Sequence, residues 1–256
     1  MDVTSLASGS SGNACLVRAG DVKVIFDCGL SARKLAQELL ELGVHPSELR
    51  AVFLSHGHSD HIKSAHTLSR RYHLPVIANE ATLRSLRSTM LGLSERMPTG
   101  TTTNIGPLSI TSFPLPHDAS DTVGYFVQCG DRSVCIATDL GQAPDHLVEY
   151  LRASDLMILE SNHDVDLLVK GPYPWYLKQR VLGPYGHLSN ADSAAAVVRA
   201  NSGRRQTLWL AHLSEINNTP ELATRTVEGR LRQEGISSIE VEVALRDGRS
   251  LVWEER

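Results

Sequence analysis

Apolar and polar positions alternate over short stretches at the start of the chain, and turn residues separate these stretches. Val3–Leu6, Cys15–Arg18 and Val22–Phe26 predict three strands, with a hairpin turn at Ala19-Gly20-Asp21. A helix is predicted from about Ser31, because serine is a residue type that caps helix N-termini. Its apolar face is expected to comprise Leu35, Leu39, Leu40 and Leu42.

Beyond residue 50, apolar runs of strand length alternate with longer segments that have the apolar spacing of helices. The predicted strands are Arg50–Ser55, Pro75–Ala78, Leu108–Phe113, Val123–Cys129, Ser133–Ala137, Asp155–Glu160, Thr207–Ala211, Ile239–Val243 and Ser250–Trp253. The predicted helices lie at about 61–72, 79–90, 144–152, 163–182, Ala191–Asn201 and Pro220–Gln233.

This order of elements predicts an α/β fold in which two sheets pack face to face and helices cover their outer faces. We expect residues 1–256 to form a single domain, because no polar linker divides them. Two similar halves of that domain are expected to meet near residues 140–155.

The composition is that of an ordinary globular protein, with 41% hydrophobic and 21% charged residues. No apolar run could span a bilayer and the N-terminus has no secretory leader, so we expect a cytoplasmic protein without a membrane partner. The four cysteines form no CxxC pair, which favours buried thiols over a disulfide framework. Because the net charge is −4, any polyanion must be bound by local patches or metal ions.

The strongest chemical signal in the chain is His56-Gly57-His58-Ser59-Asp60-His61, which follows a predicted buried strand. A loop leaving that strand can turn His56 and His58 to one side and Asp60 and His61 to the other, whereas a helix would scatter them around its axis. Imidazole and carboxylate groups are ligands for zinc, iron and manganese. Chance clustering is the alternative, and the position directly after a strand argues against it.

This His-x-His-x-Asp-His motif resembles that of the metallo-β-lactamase superfamily. The resemblance implies a four-layer αββα sandwich with three further ligands, each just after a later strand. His117, Asp139 and His212 stand at such positions in this sequence. The implied ligand sets are His56, His58 and His117 for one metal and Asp60, His61 and His212 for a second, with Asp139 bridging the pair.

The same resemblance implies a catalytic role for this centre. Two divalent metals, zinc or manganese with iron as a further option, are expected to share a hydroxide that attacks the substrate. Asp60 is expected both to ligate and to accept a proton from the attacking water. Asp27 is expected to support the metal site, or else only to form a turn before Gly29.

An acid at position 139 and a histidine at position 58 point, within the superfamily, to thiolester hydrolases and phosphodiesterases. Three more stretches narrow this choice: Ser8-Gly9-Ser10-Ser11-Gly12-Asn13, Glu160-Ser161-Asn162-His163-Asp164 and Gly186-His187-Leu188-Ser189-Asn190. Together with Asp27-Cys28-Gly29 and Ala137-Thr138-Asp139 they resemble the YycJ/WalJ-like subfamily, which is associated with 5′→3′ exonuclease action on DNA.

These stretches also supply candidate substrate residues. The Gly/Ser loop can present the side chains of Ser10, Ser11 and Asn13 to an anion, and Asn162 follows another buried strand. His187 precedes a helix capped by Ser189 or Asn190, where it is expected to bind phosphate or protonate a leaving group. Plain turn and cap roles are the alternatives for each stretch.

Aromatic residues near position 180 form a candidate surface for nucleobases. Tyr173, Trp175, Tyr176 and Tyr185 flank the basic pair of Lys178 and Arg180, which predicts stacking or, alternatively, a lid over the metal site.

The predicted function is therefore hydrolysis of phosphodiester bonds in DNA, with nucleic acid as the partner. A thiolester or small-ester hydrolase of the glyoxalase II type on the same centre is one alternative. A non-catalytic, metal-binding regulatory protein is another. The sequence leaves open whether the substrate is DNA or RNA, and it leaves open the cleavage polarity and the oligomeric state.

Overall fold

The computed structural model describes residues 1–86 and 92–254. Within them, two seven-stranded sheets are formed. The first sheet has the order β14-β1-β2-β3-β4-β5-β6. Its strands are β1 (Asp2–Ala7), β2 (Ala14–Ala19), β3 (Val22–Phe26), β4 (Ala51–Phe53), β5 (Pro75–Ala78), β6 (Leu93–Arg96) and β14 (Leu251–Glu254).

The second sheet has the order β13-β12-β11-β10-β9-β8-β7. Its strands are β7 (Thr102–Ile105), β8 (Leu108–Pro114), β9 (Val123–Cys129), β10 (Arg132–Ala137), β11 (Leu156–Glu160), β12 (Gln206–Ala211) and β13 (Ile239–Val243). In both sheets a parallel region borders an antiparallel one: β3 to β6 run parallel in the first sheet, and β10 to β13 do so in the second.

Helices cover the outer faces of the two sheets. They are α1 (Ala32–Glu41), α2 (Ser59–Ile62), α3 (Ala65–Tyr72), α4 (Glu80–Ser85), α5 (Asp145–Ala153), α6 (Val165–Lys170), α7 (Trp175–Leu182), α8 (Asn190–Ala200) and α9 (Pro220–Gln233). Among the residues that the structure describes, no helix is both long and apolar enough to cross a membrane.

Three buried apolar clusters hold these layers together. The central one lies between the sheets, where Phe26, Phe53 and Tyr125 pack ring against ring and Trp209 is fully buried. The other two join each sheet to its helices. Because both faces of the inner strands are covered, these strands are continuous apolar runs, as in β4 and β11. The predicted αββα sandwich is confirmed.

Several predicted helices are divided or shorter in the structure. The helix expected at 61–72 is α2 and α3, because the backbone N–H and the hydroxyl of Ser64 both donate to the carbonyl of Cys28. The helix expected at 163–182 is α6 and α7, separated by Gly171-Pro172-Tyr173-Pro174. The helix expected at 79–90 is α4, and residues 87–91 lie outside the described residues.

The apolar face of α1 also differs from the prediction. Leu35 and Leu39 are fully buried, whereas Leu40 is 55% exposed, since it lies next to Leu39 and about 100° further round the helix. The four cysteines are free, and three of them are buried, which agrees with the predicted thiols.

The sequence patterns did not predict β6 and β7. Both are exposed edge strands of four residues, so they lack the buried apolar run that indicates a strand. The chain passes from the first sheet to the second between them, at residues 97–101, well before the boundary expected near 140–155. That residues 1–256 form a single domain stays a prediction.

Candidate metal centre

Polar side chains gather at one edge of the sandwich, where strands of both sheets end. Asp27 follows β3 and the motif from His56 to His61 follows β4, while Asp139 follows β10 and His212 follows β12. Asp27, Asp139 and His212 have φ angles of 59°, 62° and 55°. Left-handed backbone is uncommon for residues other than glycine, and such strain concentrates at functional sites.

The first group of potential ligands consists of His56, His58 and His117, whose ligand atoms lie within 4.8 Å of one another. Nε2 of His117 is 3.4 Å from Nδ1 of His58. Nε2 of His56 is buried and has no hydrogen-bond partner in the described part of the chain. An unpartnered buried ring nitrogen facing other imidazoles is the arrangement that a cation would satisfy.

The second group consists of Asp60, His61 and His212, again with ligand atoms within 4.8 Å. One carboxylate oxygen of Asp60 lies 3.5 Å from Nε2 of His61 and 3.6 Å from Nε2 of His212. Nε2 of His212 is a second buried nitrogen without a hydrogen-bond partner among the described residues. His61 and His212 are also completely or almost completely buried.

Asp139 lies between these two groups. Its Oδ2 is 3.0 Å from Nε2 of His61, and its Oδ1 is 3.6 Å from Nε2 of His117. Oδ1 is also 3.6 Å from Nδ1 of His212, so the carboxylate lies close to members of both groups. All seven side chains singled out in the sequence thus lie close together, and Asp139 is within 3.6 Å of members of both groups. That Asp139 bridges two metals stays a prediction.

Three of the imidazoles have a hydrogen-bond partner at Nδ1. Nδ1 of His61 is 2.8 Å from Asp27, Nδ1 of His212 is 2.7 Å from Glu160, and Nδ1 of His117 is 3.0 Å from the carbonyl of Gly186. Such partners fix the tautomer and orientation of metal-ligating histidines. Asp27 also accepts from the N–H and the hydroxyl of Ser55, and its supporting role at a metal site stays a prediction.

The electrostatics of the centre favour a cation. Burial alone lowers the pKa of His212, but Asp139, Asp60 and Glu160 outweigh it and raise the pKa to about 10. Burial likewise opposes protonation of His61, and Asp27 and Asp139 reverse this and hold its pKa well above the ordinary value. Without a metal, the surplus of buried carboxylates attracts protons to these rings. A divalent cation bound at the centre can replace these protons.

The donor set fits divalent metals of the zinc and manganese type. It combines imidazole nitrogens with carboxylate oxygens and contains no thiolate, since the four cysteines are absent from the groups that could hold an ion among the described residues. The unpartnered nitrogens of His56 and His212 point to the same conclusion.

A pocket of about 220 Å³ opens over this centre. Of the predicted substrate residues, Ser10, Asn162 and His187 line it. Asn162 also donates to the carbonyl of His212, at 2.9 Å. His187 has its Nδ1 2.9 Å from Glu160, so its other nitrogen is the one left for a substrate.

The remaining predicted substrate residues have different positions. Ser11 is exposed and its hydroxyl donates to Asp247 at 3.4 Å, so the structure does not bring it to the pocket. Asn13 is buried beneath the Gly/Ser loop and its Nδ2 is 3.0 Å from Nε2 of His61. Ser189 is the N-cap of α8, accepting from the N–H of Asp192 at 3.1 Å.

Sequence reasoning did not single out two residues of the site, Glu160 and Asp118. Glu160 is fully buried and accepts from the N–H groups of Leu140 and Leu188 as well as from the two histidines. Its position directly after the apolar run Leu156–Leu159 is the sequence signal that could have identified it. Asp118 has Oδ1 3.3 Å from Nε2 of His117, and its Oδ2 accepts from Nε of Arg180.

Lys178 is not a candidate for nucleic-acid contact. It is buried, and its ammonium group donates to the carbonyls of Val169 and Gly171 at 2.6 and 2.8 Å. Lys178 therefore anchors α7 to the end of α6, while Arg180 is the exposed member of the predicted basic pair.

Comparisons with known proteins agree with this geometry. A model of the Beta-lactamase superfamily domain matches residues 23–212. The chain is 38% identical to "Exodeoxyribonuclease WalJ" of Streptococcus pneumoniae, over 89% of this chain and 87% of the relative. It is 33% identical to "Exodeoxyribonuclease YycJ" of Bacillus anthracis, over 90% and 89% of the two chains. The crystal structure of the metallo-β-lactamase fold protein YhfI from Bacillus subtilis covers 99% of both chains, with a TM-score of 0.75 at 20% identity.

The chain belongs to the metallo-β-lactamase superfamily and is a metal-dependent hydrolase. Within that superfamily it is a member of the YycJ/WalJ-like subfamily.

Proposed function

We propose that this protein is a 5′→3′ DNA exonuclease that uses two divalent metal ions. The observation that carries the proposal is the convergence of seven ligating side chains into two groups that share Asp139. The relatives named exodeoxyribonucleases match about nine tenths of the chain, which supports DNA as the substrate.

In this proposal the two groups described above hold one cation each. His56, His58 and His117 hold the first, and Asp60, His61 and His212 hold the second, with Asp139 between them. When bound, such a pair supplies activated water near neutral pH and positive charge for the phosphate oxygens. That a hydroxide bridges the pair and attacks phosphorus stays a prediction.

The protein's own residues have separate tasks around the reacting phosphate. Asp60 keeps one carboxylate oxygen between His61 and His212, and its side chain is 21% exposed, so it can also accept a proton in the pocket. His187 is held by Glu160 through Nδ1 and is 22% exposed. Its Nε2 can therefore bind a phosphate oxygen or donate a proton to the leaving oxygen.

Two measurements test the proposal. Elemental analysis of purified protein should give about two bound metal ions per chain, as the two ligand groups require. Oligodeoxynucleotides labelled at the 5′ or the 3′ end and supplied with Mn²⁺ or Zn²⁺ should release mononucleotides from the 5′ end. Release from the 3′ end would contradict the polarity, and no cleavage of any nucleic acid would contradict the nuclease.

A comparison of two small substrates separates the alternatives. A phosphodiesterase turns over bis(p-nitrophenyl) phosphate and leaves S-lactoylglutathione intact, and a thiolester hydrolase does the reverse. A regulatory protein with no catalytic function would bind metal and turn over neither compound.

The role of His187 is tested by substitution. His187→Ala should lower kcat on DNA by about 10²–10⁴-fold, the usual contribution of a positioned acid or base, while metal content stays unchanged. A matched control is His146→Ala, because His146 lies on α5 and its Nε2 donates to the carbonyl of Pro114. Unchanged kcat in His187→Ala would contradict the assignment.

A further inference from the structure

Exposed apolar side chains concentrate in the segment from α6 to the loop after α7. Of the large hydrophobic residues exposed in the described part of the chain, more than half lie in residues 165–185. They are Val165, Leu167, Val169, Trp175, Tyr176, Leu182 and Tyr185. A local concentration of this kind marks a binding surface rather than ordinary scattered exposure.

One edge of this segment is continuous with the pocket over the metal centre. Tyr173, Leu177 and Arg180 line that pocket together with His187. Tyr176 precedes Arg180 by four residues within α7, a spacing that brings the two side chains onto one helical face, and Tyr173 lies in the loop just before the helix. Tyr173, Tyr176, Leu177 and Arg180 are referred to below as the α7 stripe. Its side chains extend from the half-buried Tyr173 in the pocket to Tyr176, which is 74% exposed.

The α7 stripe is fixed rather than folded over the site as a lid. Lys178, on the opposite side of α7, ties the helix to the carbonyls that end α6. Trp175 and Tyr176 are 61% and 74% exposed, so neither ring covers the pocket. An anchored helix that presents an exposed aromatic ring is a suitable platform for stacking, because little side-chain entropy is lost on binding.

Arg180 adds a positive charge to the α7 stripe. Its Nε donates to Asp118, its one ion-pair partner within the described residues, and its side chain is 58% exposed. A guanidinium group has five N–H donors, so most of them remain for an anion. Arginine is the residue type that binds phosphate with two parallel hydrogen bonds.

The size of the pocket decides which part of a polynucleotide enters it. Its volume of about 220 Å³ is below the roughly 300–1,000 Å³ of sites that enclose a drug-sized ligand. The reacting phosphate and its sugar can be enclosed, and the neighbouring bases must lie on surfaces at the mouth. Bases in a duplex are paired and stacked on one another, so a side chain can stack only on those of a single strand or an end.

We propose that the α7 stripe binds a single nucleic-acid strand next to the cleaved phosphate, with a base stacked on Tyr176 and a phosphate held by Arg180. This inference rests on the proposed nuclease function and deepens it. The substrate class is a single-stranded end, and the stacked base is within a few nucleotides of the reacting phosphate.

The main test compares the wild type with Tyr176→Ala on a single-stranded oligodeoxynucleotide. Binding of a phosphorothioate version, which resists hydrolysis, is measured by fluorescence anisotropy, and KM is measured on the cleavable strand. Loss of one stacked base should raise Kd by about five- to 150-fold, and Tyr176→Trp should restore it. The control Leu40→Ala removes another exposed apolar side chain, which belongs to α1 and is distant in sequence from the α7 stripe.

Abasic oligonucleotides identify the stacked base directly. A single abasic nucleotide is placed in turn at each of the positions nearest the cleaved end. The wild type should lose affinity when one of these positions is abasic. Tyr176→Ala should be insensitive to that same abasic nucleotide, because the missing base and the missing tyrosine ring remove the same stacking interaction. Additive losses would overturn the assignment of the stacked base to Tyr176.

Salt dependence tests Arg180. Arg180→Gln should lower the slope of log Kd against log salt concentration by about 0.7, the value for one phosphate contact on a single strand. Arg70→Gln, which removes an exposed arginine from α3, should leave the slope unchanged.

The outcomes separate this inference from the nuclease function. If the wild type cleaves single strands and Tyr176→Ala binds them equally well, the inference is overturned and the proposed function stands. If the wild type cleaves no nucleic acid, the proposed function fails first. If sedimentation shows that Tyr176→Ala dissociates an oligomer, the exposed segment is a subunit interface and the inference is overturned as well.

Discussion

Oε1 of Glu160 lies 2.7 Å from Nδ1 of His212, and both side chains are almost completely buried. The same oxygen lies 2.9 Å from Nδ1 of His187. Burial alone raises the pKa of Glu160, but His187 and His212 outweigh it and lower the pKa to about 2. One ionised carboxylate thus orients a proposed metal ligand and a proposed substrate-binding histidine together.

Glu160→Gln should weaken metal binding at the group that contains His212. The amide keeps the shape but removes the charge, and such a change in a supporting residue costs about 10–100-fold in metal affinity. Competition with a chromophoric chelator measures the affinity. Glu242→Gln is the matched control, since Glu242 accepts from Nε1 of Trp209 at 3.0 Å elsewhere in the second sheet. Equal affinities in wild type and Glu160→Gln would show that Glu160 is not a positioning residue.

Asp139→Asn should lower activity by orders of magnitude while the protein still folds. The amide removes the charge that faces both ligand groups, so metal content should fall below that of the wild type. Asp155→Asn is the control, because Asp155 accepts from the N–H of Ser133 at the opposite end of the same strands. Circular dichroism checks the fold, and a fully metal-loaded, active Asp139→Asn protein would refute a bridging role.

Metal affinity should increase with pH. His212 has a pKa of about 10 without metal because its carboxylate neighbours outweigh burial, and the cation must displace that proton. Affinity for Zn²⁺ should therefore rise by about one order of magnitude per pH unit for each proton released, up to the pKa of His212. Calorimetry in buffers of different ionisation enthalpy counts these protons. A pH-independent affinity would mean that the rings are already neutral.

Gly29→Ala should destabilise the protein strongly. A Cβ at Gly29 would lie 1.5 Å from the carbonyl oxygen of Asp60 and 2.7 Å from the backbone nitrogen of Asn13. Because backbone must move, we expect a loss of about 3 kcal/mol or more in the free energy of unfolding, together with lower metal content.

At Gly229 in α9, the same change from glycine to alanine should stabilise the protein. Apart from its chain neighbours and the backbone of its own helix, no atom of the described residues lies within 4 Å of the position of its Cβ. Gly229→Ala should raise stability by about 0.5–1 kcal/mol, since alanine is the better helix former. Urea denaturation measures both variants. A Gly29→Ala protein as stable as the wild type would contradict the close packing of these three segments.

The sequence alone determined the order of most strands and the cluster of candidate ligands from His56 to His61, and the resemblance of its motif added His117, Asp139 and His212. This was possible because both kinds of information are local. A buried strand is a continuous apolar run, as in Ala51–Phe53, and a ligand such as His212 directly follows its strand. The resemblance of the motifs to a known superfamily then supplied the expected sandwich.

Only the tertiary structure decided which residues contact the candidate ligands and which residues line the pocket beside them. Glu160 reaches His212 across 52 residues, and Asp118 reaches Arg180 across 62, because β11 lies between β10 and β12 and α7 lies beside the loop after β8. The same packing buries Lys178 and leaves Tyr176 exposed. Such contacts depend on which distant segments are brought together, and local patterns of apolar and polar residues carry little of that information.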